Sequence, residues 1–486
     1  MIGSGVRKLT VVASALLFCV PVLLAQSGAA VENLPGVAIG ANNETSAALE
    51  EQSPYLGGVP AGTAVPGVLP ISLEQAVQRG LKQNLGVLLS TDSVTAAQGQ
   101  RWQMLSALLP RAVTETSLNT HQLDLKATIG VHIPNVPPVI GPFSVFDTRA
   151  YVNQTVFDWQ SIERARSSSQ QVKAAQYTYR NARDLVVFAV ASNYLLAVAD
   201  KARVTSARSE RDTAKALYQQ TFDQNKAGVA AAVDVLRSEV ELQARQQELI
   251  VAGNNLAKQK LVIARMIGLP EGQAFELTSK AAYQALATMS LPQALEFAYV
   301  HRPDYQSALV RLQSAQLQRK AAAAERYPSI SVQGDYGDIG VTPATSHGTV
   351  DAAAVLKVPI FEGGRIHGDV LAANAALSQA RQQLANLRAQ IDQDVRDAFL
   401  DLEASSAQVS VEQNAITLAN ETLRQSRDRF ASGVTDNIEV VQAQESLADA
   451  NDSYIASLYS YNVAKISLAR SMGVAESDYA LYLKGQ

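Results

Sequence analysis

Acidic residues gather at two glycine turns, and they are the side chains best placed to act on a solute. Asp223 and Asp234 flank a turn at Gly228, and Asp428, Asp436 and Glu439 flank a turn at Gly433. Carboxylates held close together attract cations and repel one another, so their chemistry is electrostatic selection and not bond making. Other candidates fail on spacing. The five histidines, His121, His132, His301, His347 and His367, include no pair at metal-ligand spacing with another His or a Cys. Gly334-Asp335-Tyr336-Gly337-Asp338-Ile339-Gly340 has the glycines of a phosphate loop. It follows a strand pattern but opens no helix, so it reads as a hairpin tip. No serine-nucleophile elbow, Walker motif or HExxH sequence occurs. We expect no enzyme, no cofactor and no metal site.

The elements that position the carboxylates come in two copies. Lys226-Ala227-Gly228-Val229 precedes Val233-Asp234-Val235-Leu236, and 205 positions on, Ala431-Ser432-Gly433-Val434 precedes Ile438-Glu439-Val440-Val441. Gly268 and Gly473 share that offset. Leu109-Pro110 corresponds to Tyr327-Pro328 at an offset of 218, and Phe157 to Phe361 at 204. The first copy is therefore longer only between the Pro and the Phe, where a hairpin tip absorbs extra residues cheaply. Gly228 and Gly433 supply the left-handed residue that ends a helix. Asp234 and Glu439 occupy equivalent positions, which makes them candidates for a ring around an opening. Asp436 reads equally as the N-cap of the returning helix.

Each copy has the same internal order. Ser72 with Gln75 opens a helix by a capping-box pattern, with a break near 84–86 and an end before Pro110. Ser290-Leu291-Pro292-Gln293 opens the second copy, which reaches Pro328. Strands are expected near 111–123 and 143–157, and again near 329–337 and 349–361. In the last, Val350, Ala352, Ala354, Leu356, Val358 and Ile360 alternate with Asp351, Ala353, Val355, Lys357 and Pro359. That is period two with one wholly apolar face. A rod follows each hairpin. Residues 159–225 hold no Pro or Gly, and a helix of that length runs about 100 Å. In the second rod Val395, Leu402, Val409, Ile416, Leu423 and Phe430 recur every seven residues, a coiled-coil seam.

The chain has 486 residues, a formal charge of −4 and only 18% charged side chains, which argues against nucleic acid as a partner. Arg7-Lys8, an apolar run to Leu24 and small residues after it read as a secretory signal over 1–25. The only cysteine, Cys19, lies inside that signal, so the exported chain owes nothing to disulfides. Residues 26–70, rich in Pro and Gly, read as an arm or linker. Repeat 1 spans 71–289 and repeat 2 spans 290–486. No later stretch is continuously apolar for about 18 residues, so a membrane would have to be crossed by strands.

Signal, doubled helix–hairpin–rod unit and glycine tips together resemble the outer-membrane efflux family. The local matches are Val358-Pro359-Ile360-Phe361-Glu362-Gly363-Gly364-Arg365, Phe430-Ala431-Ser432-Gly433, Ile438-Glu439-Val440-Val441-Gln442-Ala443 and Leu73-Glu74-Gln75-Ala76-Val77. They span roughly residues 71–475. The resemblance implies a mainly α fold with a β-barrel part: a homotrimer whose three chains close a 12-stranded barrel in outer-membrane lipid, above an α-helical periplasmic tunnel. It implies a passive exit duct for an efflux or type I secretion system. The turns at Gly228, Val229, Gly433 and Val434 would meet a periplasmic adaptor (a membrane fusion protein), and the pump in the inner membrane would be of RND or ABC type. Glu439, Asp234 and Asp436 would form the constriction at the tunnel tip. Two departures stand out. The 26–70 arm is long, and Gln442 stands where a family member carries a second acidic residue. A periplasmic coiled-coil adaptor and an exported structural protein are the alternatives. An adaptor would carry one hairpin between small β-rich modules, and a coiled-coil structural protein would not need strands with an apolar face.

Overall fold

The computed structural model describes residues 53–484 except 131–133, 135, 280–282, 287, 288 and 436. The signal, most of the arm, His132 and Asp436 lie outside the described residues. The first copy runs α1 (Leu73–Gln83), α2 (Leu85–Ser106), β2 (Arg111–Asp124), the short α3 (Leu125–Ile129), β3 (Val139–Phe157), α4 (Trp159–Lys226) and α5 (Ala232–Met266). It is flanked by β1 (Leu69–Ile71) and β4 (Phe275–Leu277). The second runs α6 (Leu291–His301), α7 (Pro303–Ala324), β5 (Ser329–Gly340), β6 (His347–Lys357), α8 (Arg365–Ala431) and α9 (Asn437–Ser471), followed by α10 (Ala475–Lys484). Corresponding helices have 11 and 11, 22 and 22, 68 and 67, and 35 and 35 residues.

Local chemistry explains the boundaries. Ser72 and Gln75 form a reciprocal capping box, as do Ser290 and Gln293. Each opening helix breaks at one extended residue, Asn84 in the first copy and Arg302 in the second. Both elbows are buried and both reach the end of their own return helix. Asn84 donates to the Met266 carbonyl at 3.4 Å and Arg302 to the Ser471 carbonyl at 3.3 Å. The return helices end at Gly268 and Gly473, both left-handed. A side chain on Gly473 would also strike the Arg302 backbone, with Cβ 2.6 Å from its Cα. Conformation and close approach together demand glycine there.

The arm does not stand apart from the repeats where it is described. Val59 donates to the Gln83 carbonyl at 2.8 Å, and β1 pairs in parallel with β4. The buried Tyr194 hydroxyl donates to the Ile71 carbonyl at 2.8 Å, fixing that strand to the first rod.

The hairpins join into one sheet of order β2-β3-β5-β6, all antiparallel. Period two and the register sort its faces. One carries Ala150, Val152, Val332, Tyr336, Val350, Ala352, Ala354 and Leu356, with Thr116 bonded to Thr148 and with Gln154 and Asp338 towards its two ends. The opposite face carries Glu115, Asp147, Arg149, Asp335, Gln333, Asp351 and Lys357. The last strand is shorter than its alternation suggests. It ends at Lys357 and not at 361, leaving Val358, Ile360 and Phe361 outside the ladder. Pro359 has no N–H to donate, and Gly363 and Gly364 turn the chain with positive φ. The third strand is longer than expected, beginning at Val139. Where strands pass into rods, the buried Glu325 carboxylate accepts from Gln160, from Arg164 at 3.3 Å and from Arg365 at 2.6 Å, tying α7 to the starts of α4 and α8.

The rods pack α5–α4–α9–α8. Val186, Val187, Val190 and Tyr194 of α4 enter one core with Ile263, Met266 and Ile466. Ile391, Val395, Leu402 and Val409 of α8 enter a second with Tyr461, Ala464 and Leu468. An 18-residue window of α4 is apolar enough to cross a membrane, but half of it is buried inside the protein, as a core helix would be. Along the seven-residue ladder, Val395, Leu402, Val409 and Leu423 are buried, and Ile416 and Phe430 half-buried. Leu402→Ala should cost about 2–4 kcal/mol, read as a lower midpoint of urea unfolding. A midpoint equal to that of wild type would mean the seam carries no stability.

Candidate functional site

The two glycine tips are built alike. Gly228 has φ 77° and Gly433 φ 70°, both left-handed. Val229 N–H reaches back to the Gln224 carbonyl at 2.9 Å, and Val434 N–H to the Arg429 carbonyl at 3.0 Å. These six-to-one bonds satisfy carbonyls orphaned at each rod's end. The residue after each glycine is left bare, Val229 at 78% and Val434 at 68% exposure.

The tips also touch each other. Asn437, which opens α9 and is fully buried, donates from Nδ2 to the Asp234 carbonyl at 2.9 Å. Beneath them Leu217, Leu423, Val440 and Ala443 form a small core with Phe430. Asp234 and Glu439 therefore lie in the same end region of the chain, one on each return helix. Neither carboxylate is bare. Asp234 sits 3.5 Å from Arg237 and Glu439 3.5 Å from Arg429. Sequence spacing had not marked either arginine. Each could have been found by asking which base lies one turn along the helix, or across the turn, from each carboxylate. Further along α8 the Glu421 carboxyl is held down to about 2 by hydrogen bonds from Arg424 and Gln425, so it stays ionised.

Above the tips a cleft of about 740 Å³ opens between α4, α8 and α9, lined among others by Arg208, Asp212, Gln220, Arg427, Phe430 and Gln444. The Gln444 side chain is buried, and neither of its amide atoms finds a hydrogen-bond partner among the described residues. No group of three or more potential metal-ligating side chains occurs among the described residues.

The geometry defines a class: an internally duplicated chain with a two-faced antiparallel sheet at one end of paired helical rods and bare glycine turns at the other. The outer membrane efflux protein pattern matches residues 76–269 and 294–474, and the chain belongs to that family. It is similar to the toluene efflux pump outer membrane protein TtgC of Pseudomonas putida, 22% identical over 423 residues, 83% of each chain. It is also similar to nodulation protein T of Rhizobium leguminosarum bv. trifolii, 23% identical over 267 residues; that match covers 53% of this chain and 56% of the relative. The solved CmeC outer membrane channel of Campylobacter jejuni shares the fold, with a TM-score of 0.72 at 16% identity, over 93% of this chain and 96% of that one. This chain is thus an outer-membrane efflux duct of a family of channels, mostly helical with a strand portion, and that is not a class of enzymes.

Proposed function

We propose that three copies of this chain form a passive exit duct, conducting solutes that an inner-membrane pump of RND or ABC type delivers through a periplasmic adaptor. One observation carries the reading. The sheet has four strands, an apolar face, a polar face and two open edges, β2 and β6. Four strands of this length cannot close around a lumen, and an open edge in lipid leaves backbone groups unsatisfied. Three copies joined β6 to β2 give twelve strands with no edge. The rods point the same way. Val233, Leu236, Val240, Ile250 and Leu261 of α5, and Leu400, Val411 and Leu418 of α8, are exposed in the single chain. These are the two outermost helices of the α5–α4–α9–α8 row, so a neighbouring copy would bury both stripes.

In this reading the apolar face meets lipid, the rods make a periplasmic tunnel, and the bare turns at Gly228, Val229, Gly433 and Val434 receive the adaptor. Glu439 and Asp234 border the narrow end. Threefold symmetry would bring their carboxylates together, and Arg237 and Arg429 would moderate the field. Purified protein should extract from outer membranes as trimers and conduct in planar bilayers. Glu439→Gln with Asp234→Asn should lower cation selectivity and block by multivalent cations, with trimers intact. Unchanged selectivity would mean that other residues build the constriction, and soluble monomers without conductance would end the duct reading.

A further inference from the structure

We propose that Arg149 sets the ion preference of the barrel, as the single base in a belt of carboxylates on the polar face of the sheet. This rests on the reading of that face as lumenal. Three adjacent cross-strand rows make the belt. Ser117, Asp147, Ile339 and His347 form the first; Glu115, Arg149, Gly337 and Thr349 the second; Val113, Tyr151, Asp335 and Asp351 the third. Rows two residues apart along a strand are separated by about 7 Å, so the belt is about 14 Å tall. It holds Glu115, Asp147, Asp335 and Asp351 against Arg149 alone. The next bases on this face, Arg111 and Lys357, lie one and three rows beyond the third row.

Arg149 is fully committed. Its Nη1 binds Asp335, its Nε lies 3.4 Å from Asp147, and its Nη2 donates to the Thr349 hydroxyl at 3.0 Å. The guanidinium thereby bridges the first repeat's hairpin to the second's across the β3–β5 seam. It is only 15% exposed, and its two carboxylates 19% and 25%. Glu115 and Asp351 are exposed and have no ion-pair partner among the described residues. One guanidinium thus faces four carboxylates, and three negative charges per chain remain uncompensated. Repeated around a closed barrel, that excess enriches cations in the lumen, because like-signed walls focus the field along a narrow path. The two uncommitted carboxylates supply the attraction, and Arg149 limits it. Gly337, directly between Arg149 and Thr349, lets β3 and β5 approach closely there: a Cβ would strike the Thr148 carbonyl oxygen and lie 2.6 Å from the Arg149 Cα.

The experiment is the reversal potential of purified protein in planar bilayers under a potassium chloride gradient. It is run in wild type and in the tip-neutral Glu439→Gln, Asp234→Asn background, so that the barrel is read apart from the tip. Arg149→Gln should raise the potassium-to-chloride permeability ratio roughly two- to tenfold near 0.1 M salt. Glu115→Gln with Asp351→Asn should lower it by a similar factor. Both shifts should fade at 1 M salt, where screening acts within about 3 Å. Arg149→Lys keeps the charge but loses the fork, and should leave the ratio close to that of wild type. A shift with Lys as large as with Gln would make the effect one of geometry and overturn the proposal. Conducting trimers whose ratio ignores all these changes would overturn the belt alone. Wild-type protein without conductance would overturn the duct reading and the belt with it.

Discussion

Arginine at Ala354 should prevent or cripple assembly, while arginine at Ala353, the adjacent residue, should be tolerated. Ala354 pairs with Val332 and shares its face with Ala352 and Leu356; Ala353 pairs with Gln333 and shares its face with Asp351. If the apolar face meets hydrocarbon, a guanidinium there costs about 2–4 kcal/mol near the bilayer midplane and about 0–1 near an interface. At Ala353 the same side chain would enter a water-filled, acidic lumen. The measurement is the yield of detergent-extracted trimer relative to wild type, by size exclusion. The upper end of the expected cost is a loss of several hundredfold, so even partial depth gives a readable difference. Equal yields from the two variants would mean that neither face meets lipid. A loss confined to Ala353→Arg would invert the barrel's inside and outside.

This difference rests on an alternation that is readable in the sequence, and the contrast with what is not readable is instructive. Period two along β6 sorts Ala352, Ala354 and Leu356 from Asp351 and Lys357 with no structure in hand. The glycine tips are legible because a left-handed residue ending a helix favours one amino acid so strongly that Gly228 and Gly433 survive as markers of the duplication. The seam on α8 is legible because a heptad is local. What escaped depends on distant parts of the chain. The end of β6 at Lys357 depends on where β5 begins, since Ser329 is its last partner. The pairing of β1 with β4 joins residues 206 positions apart, and no periodicity announces it. At the tips the carboxylates were visible, but their neighbours Arg237 and Arg429 were not singled out, and these set the local charge. Arg149 and Asp335 belong to different repeats, so only the β3–β5 register brings them together.

The elbows show the same limit most clearly, and they carry the second large prediction. Asn84 and Arg302 share no side-chain chemistry, yet each breaks its opening helix and donates to the last turn of its return helix. Asn84 is short and neutral: it receives the Gly86 N–H at 2.9 Å and donates to the Tyr55 carbonyl at 2.7 Å. Arg302 replaces that small cap with a charged clasp. It binds Asp304 at 2.7 Å and, from the second rod, Asp394 at 2.8 Å, with its side chain 5% exposed. Arg302→Ala would leave two partly buried carboxylates without the base that bridges them, Arg470 remaining as a nearby charge without that bridge. Breaking such a pair from one side costs about 3–5 kcal/mol when fully buried, so with acceptors about a quarter exposed we expect about 3 kcal/mol.

The pH dependence follows from Asp304. Burial raises its carboxyl, but the hydrogen bond and charge of Arg302 outweigh that and hold it below its ordinary 3.8. A carboxyl lowered on folding lends stability above its unfolded value, and loses it as pH falls through the folded one. In Arg302→Ala burial is no longer outweighed by that base, so the unpaired carboxyl takes up a proton at higher pH than in wild type. The gap in urea midpoint between wild type and Arg302→Ala should therefore be largest near pH 7 and narrow steadily as the pH falls towards the wild-type Asp304 value. Asp452→Ala is the control. It removes the Arg203 partner at a side chain 64% exposed, where an ion pair is worth about 0–1 kcal/mol. If Arg302→Ala unfolds with the control, or if its gap is the same at pH 7 and in acid, the elbow is held by packing against Gly473 and the clasp is incidental. A gap that is large near neutrality and narrows as the pH falls would show that the second repeat holds its elbow by charge where the first uses a neutral cap.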